Sequence, residues 1–244
     1  MYTLFISDVH LSPETPEVAA QFLQLLQEKG TQAEAVYLLG DLFEYWLGDD
    51  AITALHQPFI NALKGLTSSN ISVYIIHGNR DFLIGKEFEA LTGCKVLDDP
   101  TVIDLYGEPT LITHGDLLCS DDQVYLKFRE TVRDPKWQAH FFNMTMDERI
   151  ALAKKARDVS QDHGAAHIDH KNEIMDANQQ TIEEFFATYN VKQMIHGHTH
   201  RPAIHNIELQ NGKATRYVLG DWIGKPSYII ANQNGCELFD PRIN

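Results

Sequence analysis

The sequence contains several short segments in which Asp, Asn and His stand close together. They are Asp8-Val9-His10, Gly40-Asp41, Gly78-Asn79-Arg80-Asp81, His114-Gly115-Asp116 and Gly197-His198-Thr199-His200. In the first segment a carboxylate and an imidazole are two residues apart, so both can point the same way and share one cation. Asn79 adds a neutral oxygen that suits a hard cation, and Arg80 adds a guanidinium that suits a phosphate oxygen. Together these residue types indicate metal-assisted chemistry on a phosphate.

Taken singly, each segment has a simpler explanation. A DxH pair is more often a surface pair, and an arginine such as Arg80 can be a surface or helix-capping residue. Polar residues also commonly end strands. The occurrence of all the segments in one chain, in this order, makes that explanation poor, and we interpret them as parts of one site.

Each segment directly follows a short apolar run rich in β-branched residues, which is typical of a strand buried on both faces. The runs are residues 2–7, 35–39, 71–76, 110–113 and 191–195. Open α/β sheets build their sites at the carboxyl ends of strands, so the site is expected there. Between the first two runs, helical spacing relates Val18, Phe22, Leu25 and Leu26, and residues 51–65 predict a weaker helix.

Strand signals vanish between residue 121 and about residue 189, where helical patterns take over. We predict a helical insertion over the sheet, at about residues 121–175. Its aromatic residues are compatible with ordinary core or with a substrate-facing surface: Tyr125, Phe128, Trp137, Phe141 and Phe142. The end of the chain returns to short strands at 216–219 and 227–231, with Asn-Gly turns at 211–212 and 234–235.

Composition narrows the class of protein. The chain has 244 residues, of which 43% are hydrophobic and 22% charged, which fits a single α/β domain over residues 1–244. These values exclude disordered, collagen-like and coiled-coil proteins. With 20 Lys+Arg against 34 Asp+Glu, the net charge is −14, which repels nucleic acid and phosphates. A function on phosphates therefore requires a metal, and no nucleic-acid partner is expected.

The cysteines and the hydropathy pattern bear on location. The cysteines, Cys94, Cys119 and Cys236, are odd in number and widely spaced, which favours a reducing compartment. The first residues, MYTLFISDVH, lack the basic start of a signal peptide, and no stretch approaches 18 apolar residues. We expect a cytoplasmic protein without a membrane span.

In sequence order, the motifs DxH, GD, GNRD, HGD and GHTH resemble those of the calcineurin-like metallophosphoesterases. The resemblance implies a two-sheet α/β sandwich flanked by helices, with two divalent ions, usually Mn²⁺. One ion would be held by Asp8, His10, Asp41 and His200, and the other by Asp41, Asn79, His114 and His198, with Asp41 bridging. It also implies direct attack of hydroxide on phosphorus, with catalytic roles for Asp41, Asn79, Arg80 and His114. The family motif does not include His196, which we therefore predict to be structural.

Longer stretches, among them LGDLFEYWLGDD, IHGNRDFLIGK and RYVLGDW, resemble the UDP-2,3-diacylglucosamine diphosphatase branch over nearly the whole chain. This resemblance implies cleavage of a lipidated UDP-sugar to UMP and 2,3-diacylglucosamine 1-phosphate, under a helical lid formed by the insertion. It implies a peripheral protein of the cytoplasmic face of the inner membrane. The implied head-group contacts are Asn79, Arg80, Asp122, Ser160 and His198.

The chain departs from the branch at residues 161–173, which read QDHGAAHIDHKNE. Lys171 is the nearest candidate for the lysine of the branch, with His167 and His170 as rivals, and no Asn falls at the expected place.

Two apolar features remain to be assigned. The run Phe82, Leu83 and Ile84 follows a metal-site loop and is interpreted as a wall for acyl chains. Trp46 is compatible with core or pocket.

Two other functions are compatible with the same motifs. One is a phosphodiesterase or pyrophosphatase acting on soluble nucleotides or nucleotide-sugars. Activity that depends on the acyl chains of the substrate would exclude this function. The other is a non-catalytic scaffold that binds protein partners, a role more typical of chains that have lost metal ligands. All seven ligand positions are filled here, and the sequence indicates no particular protein partner. A nuclease would need a basic stripe, which the sequence lacks.

Overall fold

The computed structural model describes residues 1–165, 176–210 and 212–243, with the backbone alone for 156–165. Within these residues the strands form two mixed sheets. The six-stranded sheet has the order β11-β10-β1-β2-β3-β4, formed by β1 (Thr3–Ile6), β2 (Ala35–Leu38), β3 (Ser72–Ile76), β4 (Lys95–Leu97), β10 (Tyr228–Asn232) and β11 (Gly235–Phe239). The five-stranded sheet has the order β5-β6-β7-β9-β8, formed by β5 (Thr101–Leu105), β6 (Glu108–Ile112), β7 (Gln193–His196), β8 (Ala203–Leu209) and β9 (Gly212–Val218).

The predicted strands are parallel neighbours at the centres of these sheets. β1, β2 and β3 pair in parallel in one sheet, and β6 pairs in parallel with β7 in the other. β1 is buried at all four positions, and β7 at all but its first, which explains their continuous apolar sequences; β2 alternates buried with half-buried residues. In β1, Leu4 and Ile6 face the helices, whereas Phe5 faces the second sheet. The carboxyl ends of all these strands therefore meet at one edge of the sandwich.

Helices cover the outer face of each sheet. On the six-stranded sheet these are α1 (Pro16–Glu28), α2 (Gln57–Ser68) and α3 (Lys86–Thr92), and α1 buries the four apolar residues whose spacing predicted it. A later helix, Gln179–Tyr189, packs Ile182 and Phe186 on the five-stranded sheet. The predicted two-sheet sandwich flanked by helices is confirmed.

The second predicted helix is displaced along the chain, starting at Gln57 rather than near residue 51. A turn precedes it, in which the backbone N–H of Thr53 donates to Nδ1 of His56 at 3.0 Å. Proline is favoured in the first turn of a helix because its missing N–H has no partner there, and Pro58 occupies that turn. Local turn chemistry therefore fixes this boundary.

Residues 121–165 are helical, as the sequence predicted. They form α4 (Gln123–Arg133), α5 (Pro135–Phe142) and α6 (Met146–Ala165), and Gln179–Tyr189 is then α7. α5 packs Phe141 into the core beside the six-stranded sheet. α6 is anchored by the buried Arg149, which donates to the carbonyl oxygen of Leu47 at 3.1 Å and to Asp50 at 2.7 Å. The predicted end of the insertion, at about residue 175, lies outside the described residues.

Trp46 belongs to the core. Its side chain is 5% exposed and packs at 4.8 Å on the ring of Phe43. Its indole N–H donates to Oδ1 of Asp49 at 3.0 Å. The same carboxylate accepts the backbone N–H of Phe88 at 2.9 Å, in the first turn of α3. Trp46 therefore helps to fix a helix start instead of lining a pocket.

Candidate metal centre

Seven predicted ligand side chains gather where strands of the two sheets end. Asp8 and His10 follow β1, Asp41 follows β2, and Asn79 follows β3 in the six-stranded sheet; His114 follows β6, and His198 and His200 follow β7 in the other. Because these strands are parallel neighbours within their sheets, their carboxyl ends bring the side chains to one seam. The side chains form two groups of facing atoms.

The first group contains Asp8, His10, His200 and one oxygen of Asp41. The Nε2 atoms of His10 and His200 are 3.3 Å apart, and Nε2 of His200 is 3.4 Å from Oδ1 of Asp8. Oδ2 of Asp41 is 3.8 Å from Nε2 of His10. Four atoms with lone pairs thus face a common point.

The second group contains Asn79, His114, His198 and the other oxygen of Asp41. Oδ1 of Asn79 is 3.0 Å from both Nε2 of His114 and Nδ1 of His198. These two ring nitrogens are 3.1 Å apart, and Oδ1 of Asp41 is 3.8 Å from Nε2 of His114. Each oxygen of Asp41 therefore faces a different group, which is the arrangement a bridging ligand needs.

The donor chemistry of both groups fits bound cations. Nδ1 of His114 lies 2.9 Å from the carbonyl oxygen of Leu39, and if it donates its proton there, Nε2 is left as an acceptor. That acceptor faces the amide oxygen of Asn79, another acceptor. Oδ1 of Asp8 is buried and has no hydrogen-bond partner in the described part of the chain. Such facing lone pairs repel one another unless a cation or a proton lies between them.

The backbone at the site is strained. Of the seven ligands, Asp8, His10, Asp41, His198 and His200 have positive φ angles, between 51° and 67°. Left-handed conformations are uncommon for residues other than glycine and cluster at functional sites. Two glycines permit the close packing, because a Cβ on Gly78 would overlap the carboxylate of Asp41 and one on Gly197 would overlap Asp8.

Electrostatics at the site favour positive charge. Burial would lower the pKa of His114, but the carboxylates of Asp41, Asp8 and Asp116 outweigh it and raise the pKa to about 9. Burial and the nearby His114 lower the pKa of His198 to about 4. Burial opposes ionisation of Asp8, yet the surrounding histidines hold its pKa below the usual range. The buried carboxylates thus create a field that attracts cations.

Comparison with known proteins agrees with this geometry. The model of the calcineurin-like phosphoesterase family matches residues 1–202. The chain belongs to this family. It is 44% identical over 245 residues to a UDP-2,3-diacylglucosamine hydrolase of Stenotrophomonas maltophilia (strain K279a), covering 98% of each chain. It is 46% identical over 238 residues to the protein of that name from Serratia proteamaculans (strain 568), again covering 98% of each. A third, from Vibrio vulnificus (strain YJ016), is 45% identical over 241 residues, with 98% of this chain and 97% of the relative covered.

In this phosphoesterase, Arg80 lies beside the bridging carboxylate. Its backbone N–H donates to Oδ1 of Asp41 at 2.8 Å, and its carbonyl oxygen accepts the N–H of Trp46 at 3.0 Å. The side-chain Nε is buried without a hydrogen-bond partner among the described residues. The backbone of Arg80 is therefore fixed by the protein, and its Nε remains available to an anion.

The remaining predicted head-group residues lie on the helical insertion or outside the described residues. Asp122 caps α4, accepting the backbone N–H of Tyr125 at 2.9 Å. Ser160 lies in α6, where the structure describes only the backbone. Lys171 and its rivals His167 and His170 lie outside the described residues. The structure brings together Asn79, Arg80 and His198, and leaves the lid contacts as predictions.

His196 is structural, as the sequence predicted. It is fully buried, and its Nε2 lies 3.0 Å from the guanidinium of Arg216. Burial, followed by the charge of Arg216, lowers the pKa of His196 to about 3. His196 is therefore a neutral imidazole that accepts a hydrogen bond from Arg216, and its side chain belongs to neither group of ligands.

The roles of four residues at the site were not predicted from the sequence: Asp81, Asp116, Tyr125 and Arg129. Asp81 is buried and accepts the backbone N–H groups of Leu42 at 2.7 Å and Gly78 at 2.9 Å, which ties two ligand loops together. Burial and the charge of Asp41 raise its pKa to about 6. From α4, Tyr125 and Arg129 reach Asp116 at 2.5 and 2.7 Å. Asp81 and Asp116 stand in the GNRD and HGD motifs, but only the fold shows that they hold loops.

Proposed function

We propose that this protein is a metal-dependent hydrolase that cleaves the diphosphate of UDP-2,3-diacylglucosamine, giving UMP and 2,3-diacylglucosamine 1-phosphate. The observation that carries the proposal is the pair of facing ligand groups that share Asp41. The substrate rests on the names of relatives that match over nearly the full length of both chains.

The residues of the site have separate tasks in this proposal. Asp41 joins the two ligand groups, so it would help to hold both cations. When bound, two divalent cations neutralise phosphoryl charge and lower the pKa of water that attacks phosphorus. Arg80, with its unpartnered Nε, stabilises negative charge that develops on the phosphoryl oxygens. Asn79 and His198 orient the diphosphate from the second group.

Mn²⁺ is the cation we propose. The donor set combines carboxylate and amide oxygens with imidazole nitrogens, and contains no thiolate. Oxygen ligands suit Mn²⁺ and imidazole suits the later transition metals, so this mixture accepts Mn²⁺ and does not select for a soft cation.

A cavity with one apolar side supports a lipid substrate. It has a volume of about 340 Å³ and is lined by the apolar Phe82, Leu83, Ile84 and Phe142 and by the polar His77, Arg133 and Gln138. Leu83 and Ile84 pack in the core and are 6% and 3% exposed, so Phe82 and Phe142 form most of the accessible apolar wall. Phe82 also lines a smaller cleft together with Asn79, Tyr125 and Phe128. The side chain of Phe82 thus lies between the phosphate site and the larger cavity. Each buried methylene contributes about 0.8 kcal/mol, so a few acyl carbons in this cavity would strongly favour an acylated substrate.

The lid, residues 121–175, is proposed to cover that substrate and to place the protein on the cytoplasmic face of the inner membrane. Asp122, Ser160 and Lys171 would contact the head group. Val124, Phe128, Phe142 and Met146 expose between 38% and 61% of their surface on α4, α5 and α6, which supports contact with lipid. No helix among the described residues is long and apolar enough to cross a membrane.

The test compares diacylated and unacylated UDP-glucosamine as substrates of the purified protein, with and without chelator. We expect metal-dependent release of UMP and a kcat/KM at least roughly 10²-fold higher for the diacylated substrate, from a few buried methylenes. The matched inactive variant is Asp41→Ala, which removes a ligand from both groups. Equal turnover of the two substrates would instead indicate a hydrolase of soluble nucleotide-sugars.

A further inference from the structure

The two histidines of the first ligand group have carboxylates behind them. Nδ1 of His10 lies 3.2 Å from Oε2 of Glu44, and Nδ1 of His200 lies 3.5 Å from Oδ2 of Asp221. In both rings the opposite nitrogen, Nε2, points into the ligand group. Glu44 and Asp221 belong to neither group, so they act on it only through the imidazoles.

The second ligand group differs in what its histidines contact on their outer side. The outward nitrogen of His114 contacts the neutral carbonyl oxygen of Leu39 at 2.9 Å. Across the described residues, neither His114 nor His198 forms an ion pair with a carboxylate outside the ligand set. The two cation positions share Asp41 but differ in the charge that surrounds them.

Asp221 is held in place by the end of the chain. Its side chain forms an ion pair with Arg242, which also donates to the carbonyl oxygen of Asp221 at 2.7 Å. Arg242 is itself fixed by Asp240, at 2.6 Å. Asp221 is 7% exposed, so its carboxylate has little freedom to turn away from His200. A fixed carboxylate can orient an imidazole, whereas a mobile one cannot.

We propose that Glu44 and Asp221 are positioning residues that make the first ligand group the tighter of the two cation sites. With a cation at Nε2, each carboxylate would accept the Nδ1–H of its histidine, which directs the Nε2 lone pair at the cation and makes the ring a stronger ligand. Each residue also places a carboxylate directly against the ring of a ligand histidine, whereas the non-ligand carboxylate nearest in effect to the second group, Asp116, acts on His114 without an ion-pair contact. This inference rests on the dinuclear site of the proposed function and concerns cation binding, not substrate.

The experiment measures binding of Mn²⁺ alone to the metal-free protein, by calorimetry and by the spin-coupled electron paramagnetic resonance signal of paired ions. Glu44→Gln and Asp221→Asn remove the negative charge and keep the side-chain shape. We expect roughly 10- to 100-fold weaker binding in the tighter step, the usual loss for an outer partner of a ligating histidine, and little change in the other step. His200→Asn identifies which step belongs to the first group.

Two further variants complete the design. Glu208→Gln removes an exposed carboxylate that pairs with Lys213, and controls for the change in net charge. Arg242→Gln releases Asp221 without altering its carboxylate, and should weaken the same step as Asp221→Asn. Wild-type affinity in Glu44→Gln and Asp221→Asn, or equal weakening of both steps, would overturn the inference. A wild type that binds two Mn²⁺ but leaves the lipidated UDP-sugar intact would contradict the proposed function alone.

Discussion

The backbone N–H of His198 donates a hydrogen bond to Oδ2 of Asp8 at 2.9 Å, joining residues 190 positions apart. The other oxygen of the same carboxylate faces Nε2 of His200 at 3.4 Å. Asp8 therefore connects the two sheets with one oxygen and offers the other to a cation. Asp41 is similarly tied, through the N–H of Arg80. The geometry of the site is held by protein contacts before any metal binds.

Removal of metal should therefore abolish activity while leaving the fold intact. We expect no hydrolysis in excess chelator, full recovery with Mn²⁺, and an unchanged far-ultraviolet circular dichroism spectrum. Because Mn²⁺ binds only the folded chain, a concentration of 100 Kd should add about 2.7 kcal/mol to the free energy of unfolding. Full activity in the chelated protein would contradict the dinuclear site, and loss of the spectrum would contradict the protein-held geometry.

Arg80 is expected to act on the transition state and not on the metal. Arg80→Ala should lower kcat roughly 10²-fold or more, the usual effect of removing one charge-stabilising donor, with two metals still bound. The backbone hydrogen bonds of Arg80 remain in this variant, so the loop should keep its position. Metal content by mass spectrometry is the control, and a fall in that content would assign Arg80 a structural role.

Asp122 offers a way to separate a helix cap from a substrate contact. Asp122→Ala should reduce the free energy of unfolding by about 1 kcal/mol, because the N–H of Tyr125 loses its acceptor. Asp122→Asn keeps a capping oxygen and should keep the stability. If Asp122 also contacts the head group, both variants should raise KM; a wild-type KM in the asparagine variant would leave the cap as its sole role.

The aromatic residues of the lid should divide into two kinds. Phe141 is 3% exposed in the core, whereas Phe128 is 43% exposed and lines the cleft beside Asn79. We expect Phe141→Ala to cost about 3–5 kcal/mol of stability, as for other buried aromatic residues. Phe128→Ser should leave the melting temperature nearly unchanged and lower kcat/KM only for the diacylated substrate. Loss of stability without loss of acyl preference in Phe128→Ser would assign it to the core.

The central strands and the polar residues that end them could be predicted because both depend on local sequence. The division of those polar residues into two ligand groups came from the family resemblance. A strand buried on two faces must be continuously apolar, as around Leu4 and Phe5, and the polar residue that ends it marks the sheet edge. α1 was likewise predicted from its apolar spacing, since burial against a sheet requires that period. Each of these features is contained in a short segment, so no long-range information was needed.

Contacts between distant segments could not be predicted in the same way. Asp221 stands in a loop outside the motif that contains His200. Its role depends on Arg242, which lies near the end of the chain. Trp46 was compatible with core or pocket because an indole in a loop suits either environment. Its hydrogen bond to Asp49 places it in the core. Asp81 carries no signal that distinguishes a loop-bonding carboxylate from a metal ligand.

The position of the proposed lid in the chain would separate cation binding from substrate choice. All the candidate ligands lie outside residues 121–175, so the lid can vary in length and composition across a lineage without altering the metal chemistry. α4 limits this freedom, since Tyr125 bonds Asp116 and Arg133 donates to the carbonyl oxygen of Gly78 at 3.1 Å, beside the ligand Asn79. α5 and the start of α6 limit it further, through Phe141 in the core and through Arg149, which donates to Leu47 and Asp50. The part open to diversification therefore begins after Arg149, and a chimaera that exchanges lids should retain α4, α5 and Arg149 and join the foreign segment beyond them.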